Sequence, residues 1–598
     1  MSHRGLRRRD WLAGSLGLAA ATGAAASREG PKTLRLALPA TETQLDPAQS
    51  ESSYYTYQVI ASIFESPLGY DYLARPPRLV PLTAEALPEI PADYRQITLR
   101  IRPGIFFADD PAFQGRPREL TAADYVYSLK RFYDPRWNSA DLYIFEGAKL
   151  LGLSELRQQA LKSGKPFDYD TEVEGLKALD RYTLRIRLAD PDPRFVYQLA
   201  LPYLSGAVAR EVAERYGPDI GTHPVGTGAY RLASWRRGSL IVLERSPGFR
   251  GEVYSGQPAE TPLAQSIAHE LSGQRLPLID RIEFSIIEEP QPYWLSFVNG
   301  RLDMIEARGS YGQLAVPNGH LAPFLRKQGV QLALEPQADM QMTYFNCEDP
   351  VVGGNTPEKV ALRRAIALAH DGALWRRIVR GGLAVPAQSP IAPYTYGYEP
   401  DYRSEMSEYD PAKARALLDL YGYVDRDGDG WREAPDGRPL TLRIASLADQ
   451  LGRDGNEVWY RSLRAVGLRV VFEPAGWGEL LRRSRAGSLM MWGYAWSAAT
   501  PDGAFFLGIA YGPNASESND ARFRLPAFDK LYERQRVLPD GPERAALMRE
   551  AKNLMVAYMP YKVHGHRIQA DLLQPWLRHY WRHPFMRDIW RYLDLASH

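Results

Sequence analysis

The stretch LTAADYVYSLKR, residues 120–131, indicates most directly what kind of chain this is. Thr121 and Asp124 have the spacing of a helix-capping box, and apolar side chains then recur at helical spacing across 125–132. The preceding phrase ITLRIR, residues 97–102, alternates apolar and polar side chains as a half-buried strand does. The region is therefore predicted to contain a strand followed by a capped amphipathic helix.

The same two patterns recur over the whole length of the chain. Further alternating strand phrases stand at 33–38, 182–188, 281–286 and 440–444. Helix starts with a capping residue followed by proline stand at Thr356-Pro357 and Asp410-Pro411. This mixture of strands and helices predicts an α/β protein.

Composition and charge exclude several classes of protein. At 598 residues the chain is too long for one compact core, and its 45% hydrophobic and 24% charged residues exclude wholesale disorder. Lys and Arg number 73 against 71 Asp and Glu, and removing residues 1–26 leaves 69 against 70. A near-neutral chain has no electrostatic footprint for nucleic acid. One cysteine, Cys347, excludes an intramolecular disulfide framework and any multi-cysteine metal site.

The N-terminus has the pattern of an export signal. Arg8 and Arg9 precede Trp11 and a short apolar stretch, 13–26, that ends in three alanines. The segment resembles a twin-arginine signal with Trp where Phe is usual, and a general secretory signal is the alternative. We expect cleavage near Ala26 and a protein free in the periplasm. It should carry no lipid anchor, since no cysteine lies near the cleavage point. No later stretch has enough consecutive apolar residues to span a membrane.

Several phrases, in order along the chain, are similar to one known family. They are LDP (45–47), IFESPL (63–68), LRIRPGIFF (99–107), LTAADYVYSLKR (120–131), PVGTGAY (224–230), FN (345–346), LRRAIALA (362–369) and QPW (574–576). Together they resemble the extracellular solute-binding proteins of family 5, the dipeptide-, oligopeptide- and nickel-type receptors of ABC importers. The resemblance covers about 33–598.

The resemblance implies an α/β, two-lobed periplasmic binding protein of class II, cluster C type, with an additional domain inserted in the first lobe. Such receptors close over a ligand like a hinge. We expect the export signal at 1–26, lobe I at 27–63, 219–306 and 557–598, the inserted domain at 64–218 and lobe II at 307–556.

The segment MWGYAWSAATPD, residues 491–502, aligns with the family's cleft strand and the loop after it. Trp492, Tyr494 and Trp496 share one face of this strand and are predicted to line the cleft, the alternative being ordinary half-buried packing. In the peptide receptors that the chain resembles, a carboxylate four residues before the proline grips the α-ammonium of the peptide. Ser497 stands there, and a hydroxyl cannot make that charge-assisted bond. The departure favours a blocked or modified peptide, a sugar-like or aromatic solute, or a metal chelate.

Other residues are predicted to form the walls of the cleft. Tyr54 and Tyr55, in a loop after the first strand, and Tyr344 and Asn346, on the strand entering the second lobe, are the main candidates. Trp375 and Tyr394 are weaker ones. Each is weighed against ordinary packing.

Two motifs have metal-ligand chemistry. Asp425, Asp427 and Asp429 have the oxygen spacing that opens a calcium loop, with Asp436 where a closing ligand would stand, although Asp/Gly turn chemistry explains the run equally. The histidines at 564, 566, 579 and 583 could bind zinc or nickel, or simply pack. We expect no cofactor.

The favoured function is a monomeric periplasmic receptor that captures a peptide or peptide-like solute and delivers it to an ABC permease in the inner membrane. It is not expected to be an enzyme, because the Gly-x-Ser-x-Gly, His-Glu-x-x-His, phosphate-loop and dinucleotide fingerprints are missing from the sequence. The alternatives are a secreted hydrolase, and a periplasmic sensor or chaperone on the same scaffold.

Overall fold

The computed structural model describes residues 30–50 and 53–596, so the predicted export signal lies outside the described residues. The strands are β1 Thr33–Leu38, β2 Leu68–Tyr70, β3 Leu79–Pro81, β4 Gln96–Arg100, β5 Leu176–Ala178, β6 Thr183–Arg187, β7 Tyr230–Arg236, β8 Leu240–Arg245, β9 Glu252–Val253, β10 Arg275–Leu276, β11 Arg281–Ile286, β12 Met304–Glu306, β13 Gln331–Pro336, β14 Asp339–Phe345, β15 Ala384–Pro386, β16 Thr441–Leu447, β17 Arg469–Ala475, β18 Met491–Ser497, β19 Tyr561–Leu573, β20 Leu577–Arg578 and β21 Asp594–Leu595.

The helices are α1 Tyr54–Ile63, α2 Ala122–Tyr133, α3 Leu142–Ala148, α4 Leu153–Ser163, α5 Pro202–Ser205, α6 Arg210–Tyr216, α7 Pro262–Leu271, α8 Pro290–Val298, α9 Gly309–Ala315, α10 Pro323–Lys327, α11 Pro357–Ala369, α12 Gly372–Arg380, α13 Pro411–Leu420, α14 Gln450–Arg464, α15 Trp477–Arg485, α16 Ala504–Leu507, α17 Pro526–Arg536 and α18 Pro542–Tyr558. The α/β prediction is confirmed.

The capping box predicted before α2 is confirmed. The Thr121 backbone N–H donates to the Asp124 carboxylate at 2.7 Å, which satisfies a donor that a helix end otherwise leaves unpaired. At the other end of α2, Arg131 forms a two-pronged ion pair with Asp46, and both side chains are 1% exposed. One buried ion pair thus joins the LDP phrase at 45–47 to the LTAADYVYSLKR phrase at 120–131.

The first lobe is built on the sheet β1-β11-β8-β7. β1 runs parallel to β11, and β8 is antiparallel to both of its neighbours. The C-terminal segment packs against this sheet, with Trp590 edge-on to Phe284 at 6.1 Å. The three-stranded sheet β4-β6-β5 and helices α2 to α5 lie within 64–218, the range predicted for the inserted domain.

Glycines in the phrase PVGTGAY allow the chain to return from this range to the first lobe. The Gly228 N–H donates to the Ile63 carbonyl at 2.8 Å, and a Cβ on Gly228 would lie 2.6 Å from that same oxygen. A Cβ on Gly226 would meet it as well. Any side chain at these two positions would therefore push 226–228 off α1.

A second sheet has the order β12-β19-β14-β18-β16-β17, with β13 and β15 also paired to β19. The second lobe is built on its β14-β18-β16-β17 part together with the first half of β19. β16 is parallel to β17 and β18, whereas β14 is antiparallel to β18 and β19. Helices α12, α14 and α15 pack on this sheet.

Strand pairing shows where the chain passes between the lobes, and the predicted boundaries at 307 and 557 stay predictions. The first half of β19 pairs with β14 and β15 in the second lobe, and 568–573 pairs with β12 and β13 instead. The segment 309–330 packs on α8 and β12 and so belongs with the first lobe. The chain crosses between lobes at 337–338 and again near 567, where the Gln337 N–H donates to the Arg567 carbonyl. One 13-residue strand, β19, thus extends across both lobes.

Candidate functional site

β18 has an open edge along most of its length. It pairs with β14 from Met491 to Ser497, but on its other side it pairs with β16 only at Met491 and Trp492. From Gly493 onward the two parallel strands separate. The second edge of β18 is therefore unpaired within the sheet from Gly493 to Ser497.

The backbone groups along this edge can be assigned from the register of the β14–β18 ladder. The ladder is flanked by backbone hydrogen bonds from Asn346 N–H to the Met490 carbonyl and from Ala498 N–H to the Ala338 carbonyl. Because bonded and non-bonded pairs alternate in an antiparallel ladder, the even-numbered residues of β18 bond to β14. Gly493, Ala495 and Ser497, all exposed, direct their N–H and C=O groups to the open edge.

A cleft of about 340 Å³ lies along this edge, within the size range of small-ligand sites. Its lining comes from seven elements: β14 (Gln341, Met342, Thr343), α12 (Trp375, Val379, Arg380), β16 (Ile444, Ala445, Ser446, Leu447), α14 (Leu451, Gly452, Gly455, Asn456, Trp459), α15 (Trp477), β18 (Gly493, Tyr494, Ala495) and β19 (His564, Arg567). The cleft lies at the carboxyl end of β16, where open α/β sheets bind ligands.

Aromatic side chains give the cleft rigid apolar walls. Trp375 stacks on His564 at 5.0 Å, and Trp459 packs against His370 below it at 4.4 Å. Trp477 is half exposed at the rim. Flat side chains of this kind contact much ligand surface and lose little conformational entropy on binding. Trp375 was a weak candidate in the sequence analysis, and Trp459 and Trp477 were missed.

The shared face predicted for Trp492, Tyr494 and Trp496 is present, but it is largely packed. Trp492 is 1% exposed and lies 5.2 Å from Trp477. The Tyr494 hydroxyl donates to Asp520, and Trp496 stacks on Phe505 at 5.8 Å. Trp492 lies outside the cleft lining because α15 covers it, whereas Tyr494 borders the cleft together with Gly493 and Ala495. The ligand-binding roles of Trp492, Tyr494 and Trp496 stay predictions.

Two further predicted wall residues are also structural. Tyr344 is 1% exposed, and its hydroxyl is 2.9 Å from the Ser484 hydroxyl. The Asn346 amide donates to the carbonyls of Gly487 and Leu489, which fixes the turn that enters β18. α15 and its following turn bury both side chains in this structure, and their cleft role stays a prediction.

Tyr54 and Tyr55 lie in the first lobe, where they begin α1 instead of occupying the predicted loop. They line a separate small cavity of about 60 Å³. The Tyr55 hydroxyl contacts Glu306 at 3.4 Å, and burial raises the pKa of Tyr55. Arg587 lies over the Tyr54 ring at 4.6 Å. Tyr394, from the second lobe, donates to Glu335 and lies under Arg75, outside the β18 cleft.

Ser497 lies at the end of the open edge beside a cation. The Arg567 guanidinium donates to the Ser497 hydroxyl at 3.2 Å, and the Arg567 backbone N–H and Nε donate to Asp339. Asp339 is fully buried and stands opposite Ser497 in the ladder. At the position where the resemblance implies a carboxylate, this protein therefore has the Ser497 hydroxyl with a guanidinium beside it.

The four C-terminal histidines do not form a group. His564 contacts Thr343 at 2.8 Å, and His566 contacts the Asp339 carbonyl at 2.6 Å. His579 contacts Glu270, whereas His583 accepts bonds from the backbone N–H groups of Phe585 and Met586. Each imidazole is therefore used locally, and packing is the interpretation the structure favours.

Burial of neutral histidines should make the protein sensitive to acid. Burial and the nearby Lys562 lower the pKa of His564 to about 3, and burial lowers the pKa of His370, His566 and His583 as well. In the unfolded chain a histidine titrates near 6.5. Below that pH the unfolded chain binds protons that the folded chain excludes. The free energy of unfolding therefore has its full value above pH 6.5 and decreases as the pH falls toward 3.

At pH 5 His564 alone should lower the free energy of unfolding by about 2 kcal/mol relative to pH 7. Urea denaturation at the two pH values measures this. The variant His564→Gln should show a correspondingly smaller difference between pH 7 and pH 5. An equal difference in both proteins would contradict the assignment.

The acidic loop after α13 brings together a slightly different set from the predicted one. Carboxylate oxygens of Asp425, Asp427, Asp429 and Glu433 all lie within 4.8 Å of one another. Asp436, the expected closing ligand, pairs with Arg438 instead. Asp425 also accepts from the N–H groups of Gly428 and Gly430, which is turn chemistry. Calcium binding stays a prediction.

The loop that follows β18 contacts residues 64–218, the range predicted for the inserted domain, through an ion pair. Asp502 is 5% exposed and accepts two bonds from Arg544, at 2.8 and 2.7 Å. Arg194, from 64–218, lies 3.5 Å from the same carboxylate and also donates to the Leu538 carbonyl. One buried carboxylate therefore joins two arginines from different parts of the chain.

Two lobes joined by paired crossings, with an aromatic cleft at the strand ends of one lobe, define a solute-binding receptor fold. The chain matches the family model "Bacterial extracellular solute-binding proteins, family 5 Middle" over residues 78–518, and it belongs to that family. No helix among residues 30–50 and 53–596 is long and apolar enough to cross a membrane.

Individual relatives agree with this membership. The chain is 27% identical to di/tripeptide-binding protein 2 of Pseudomonas aeruginosa over 576 residues, 95% of each chain. Among solved structures it is similar to HbpA2 from Haemophilus parasuis, with a TM-score of 0.71, 18% identity, and 94% and 100% of the two chains covered. It is also similar to DppA from Helicobacter pylori in complex with the peptide STSA, with a TM-score of 0.66, 18% identity, and 95% and 99% covered. The predicted family and fold are confirmed.

Proposed function

We propose that this protein is the periplasmic receptor of an ABC importer, and that it holds a short peptide or peptide-like solute along the open edge of β18. The observation that carries the proposal is the set of unpaired backbone groups at Gly493, Ala495 and Ser497 beside a cleft with aromatic walls. An extended peptide can add to such an edge as an extra strand, with its side chains in the adjoining cleft.

The relatives support the same solute class. A di/tripeptide-binding protein is similar over 95% of both chains, and one structural neighbour holds a bound peptide. Export to the periplasm through the signal at 1–26, monomeric action and delivery to an inner-membrane permease belong to this proposal. Closure of the two lobes requires a ligand that binds the closed form better, which a solute touching both lobes would do.

The cleft chemistry favours binding over hydrolysis. The Thr343 hydroxyl lies 2.8 Å from His564, a pairing that could suggest a nucleophile with its base. However, the pKa of His564 is lowered to about 3, far from the value near working pH that a general base needs. The second imidazole nitrogen of His564 is buried and has no partner among the described residues, so no carboxylate orients the ring. Thr343 itself is 2% exposed.

Native mass spectrometry of protein isolated from the periplasm without refolding tests the proposal. We expect a bound species of a few amino-acid residues, released chemically unchanged. After the bound species is removed, mixed-sequence di- and tripeptide pools should bind in its place. A ligand at about 100 times its Kd should add about 2.7 kcal/mol to the free energy of unfolding.

Two results would overturn the proposal. Release of cleaved peptide would support the secreted hydrolase. An empty protein that no pool stabilises would support the sensor or chaperone.

A further inference from the structure

The polar lining of the β18 cleft is cationic. Arg380 and Arg567 are its charged side chains, and none of the described residues that line it is Asp or Glu. The remaining polar lining comes from neutral groups: Gln341, Thr343, Ser446, Asn456 and His564. Asp339 is close by, but it is fully buried behind Arg567 and its oxygens are already bonded to that residue.

Arg380 lies in the cleft without a counter-ion. It is the last residue of α12, and its guanidinium has no hydrogen-bond or ion-pair partner among the described residues. Burial and the like charge of Arg567 lower the pKa of Arg380 to about 10. Arg380 is partly buried, and its Nε is buried without a partner among the described residues. A charge held this way is costly, and an anion placed beside it would reduce that cost.

Arg567 places a second positive charge at the end of the cleft next to the open edge of β18. Asp339 holds its backbone N–H and Nε, and its outer nitrogen reaches Ser497. The Arg567 side chain remains 35% exposed. An α-ammonium placed beside Ser497 would be repelled by the Arg567 guanidinium, which disfavours binding. A carboxylate would be attracted there, and a neutral amide would not be repelled.

From this geometry we infer that the solute presents a carboxylate to Arg380 and no free ammonium to the Ser497–Arg567 end of the cleft. The inference rests on the proposed function and narrows it to acidic peptides or peptide-like acids whose amino end is blocked. Arg380 and Arg567 are then the residues that determine specificity.

Four tripeptide pools of mixed sequence test the inference: free at both ends, N-acetylated only, C-amidated only, and blocked at both ends. Retention is read by native mass spectrometry on the full-length mature protein. The N-acetylated pool with a free carboxylate should be retained about 10- to 100-fold better than the C-amidated pool with a free amine, since a charge-assisted bond is gained and a like charge avoided.

The variant Arg380→Gln should reduce this preference to a few-fold, while its unliganded thermal midpoint stays the same or rises. Arg377→Gln is the matched control, because Arg377 is exposed on the same helix and outside the cleft, and it should keep the wild-type preference.

Equal retention of all four pools, or preference for the free amine, would overturn the inference and leave the proposed function standing. A full preference kept by Arg380→Gln would overturn the role of Arg380. Failure to retain any pool would overturn the proposed function, and this inference with it.

Discussion

Replacing Asp502 with alanine is expected to lower the free energy of unfolding by about 3–5 kcal/mol, the largest effect of any single substitution considered. Asp502 is the carboxylate between Arg544, which is fully buried, and Arg194, which is 13% exposed. Its removal takes away the one buried carboxylate that the two arginines share, and it also removes the acceptor for the Ala504 N–H that orders the loop after β18.

The control is Asp540→Asn. Asp540 pairs with the same Arg544 at 2.5 Å, but its side chain is 43% exposed, so its loss should cost at most about 1 kcal/mol. Urea denaturation followed by tryptophan fluorescence measures both variants. If Asp502→Ala lowers the free energy of unfolding no more than Asp540→Asn does, the buried carboxylate does not stabilise the contact between the second lobe and residues 64–218.

Replacing Ala495 with proline should weaken solute binding at least about 10-fold, roughly 1.4 kcal/mol, while leaving the fold intact. The Ala495 N–H faces the open edge, where proline is tolerated because no ladder bond is lost. A peptide paired with that edge would lose one hydrogen bond and meet the pyrrolidine ring instead.

The control is Ala495→Ser, which keeps the N–H and should bind like the wild type. Titration calorimetry with the tripeptide pool best retained by the wild type gives the affinities, and the unliganded thermal midpoint monitors folding. Wild-type affinity in a folded Ala495→Pro protein would show that the solute does not pair with β18.

Local patterns along the chain predict much of the fold. The alternation in ITLRIR and the capping box at Thr121 and Asp124 each depend on neighbouring residues, and both gave the right element. The family phrases added the two-lobed order. The crossings between the lobes cannot be located from local patterns, because β19 pairs with one lobe in its first half and with the other in its second. Pairing partners hundreds of residues away leave no local pattern.

The candidate site was harder to predict for the same reason. Period-two alternation correctly put Trp492, Tyr494 and Trp496 on one face, but it cannot say which face is covered. Coverage depends on Trp477, which packs against Trp492 and Tyr494. Arg380 and Arg567 are 187 positions apart and meet only in the folded cleft, so nothing in the sequence marks them as a pair.

Amide hydrogen exchange across 493–497, with and without the retained tripeptide pool, tests most directly the claim that the solute adds to the edge of β18. The account predicts slower exchange on adding peptide at Gly493, Ala495 and Ser497, together with the start of α14, and no such change in Ala495→Pro. Protection confined to another region, such as the separate groove lined by Tyr127 of α2, Lys177 of β5 and Arg210 of α6, would contradict it.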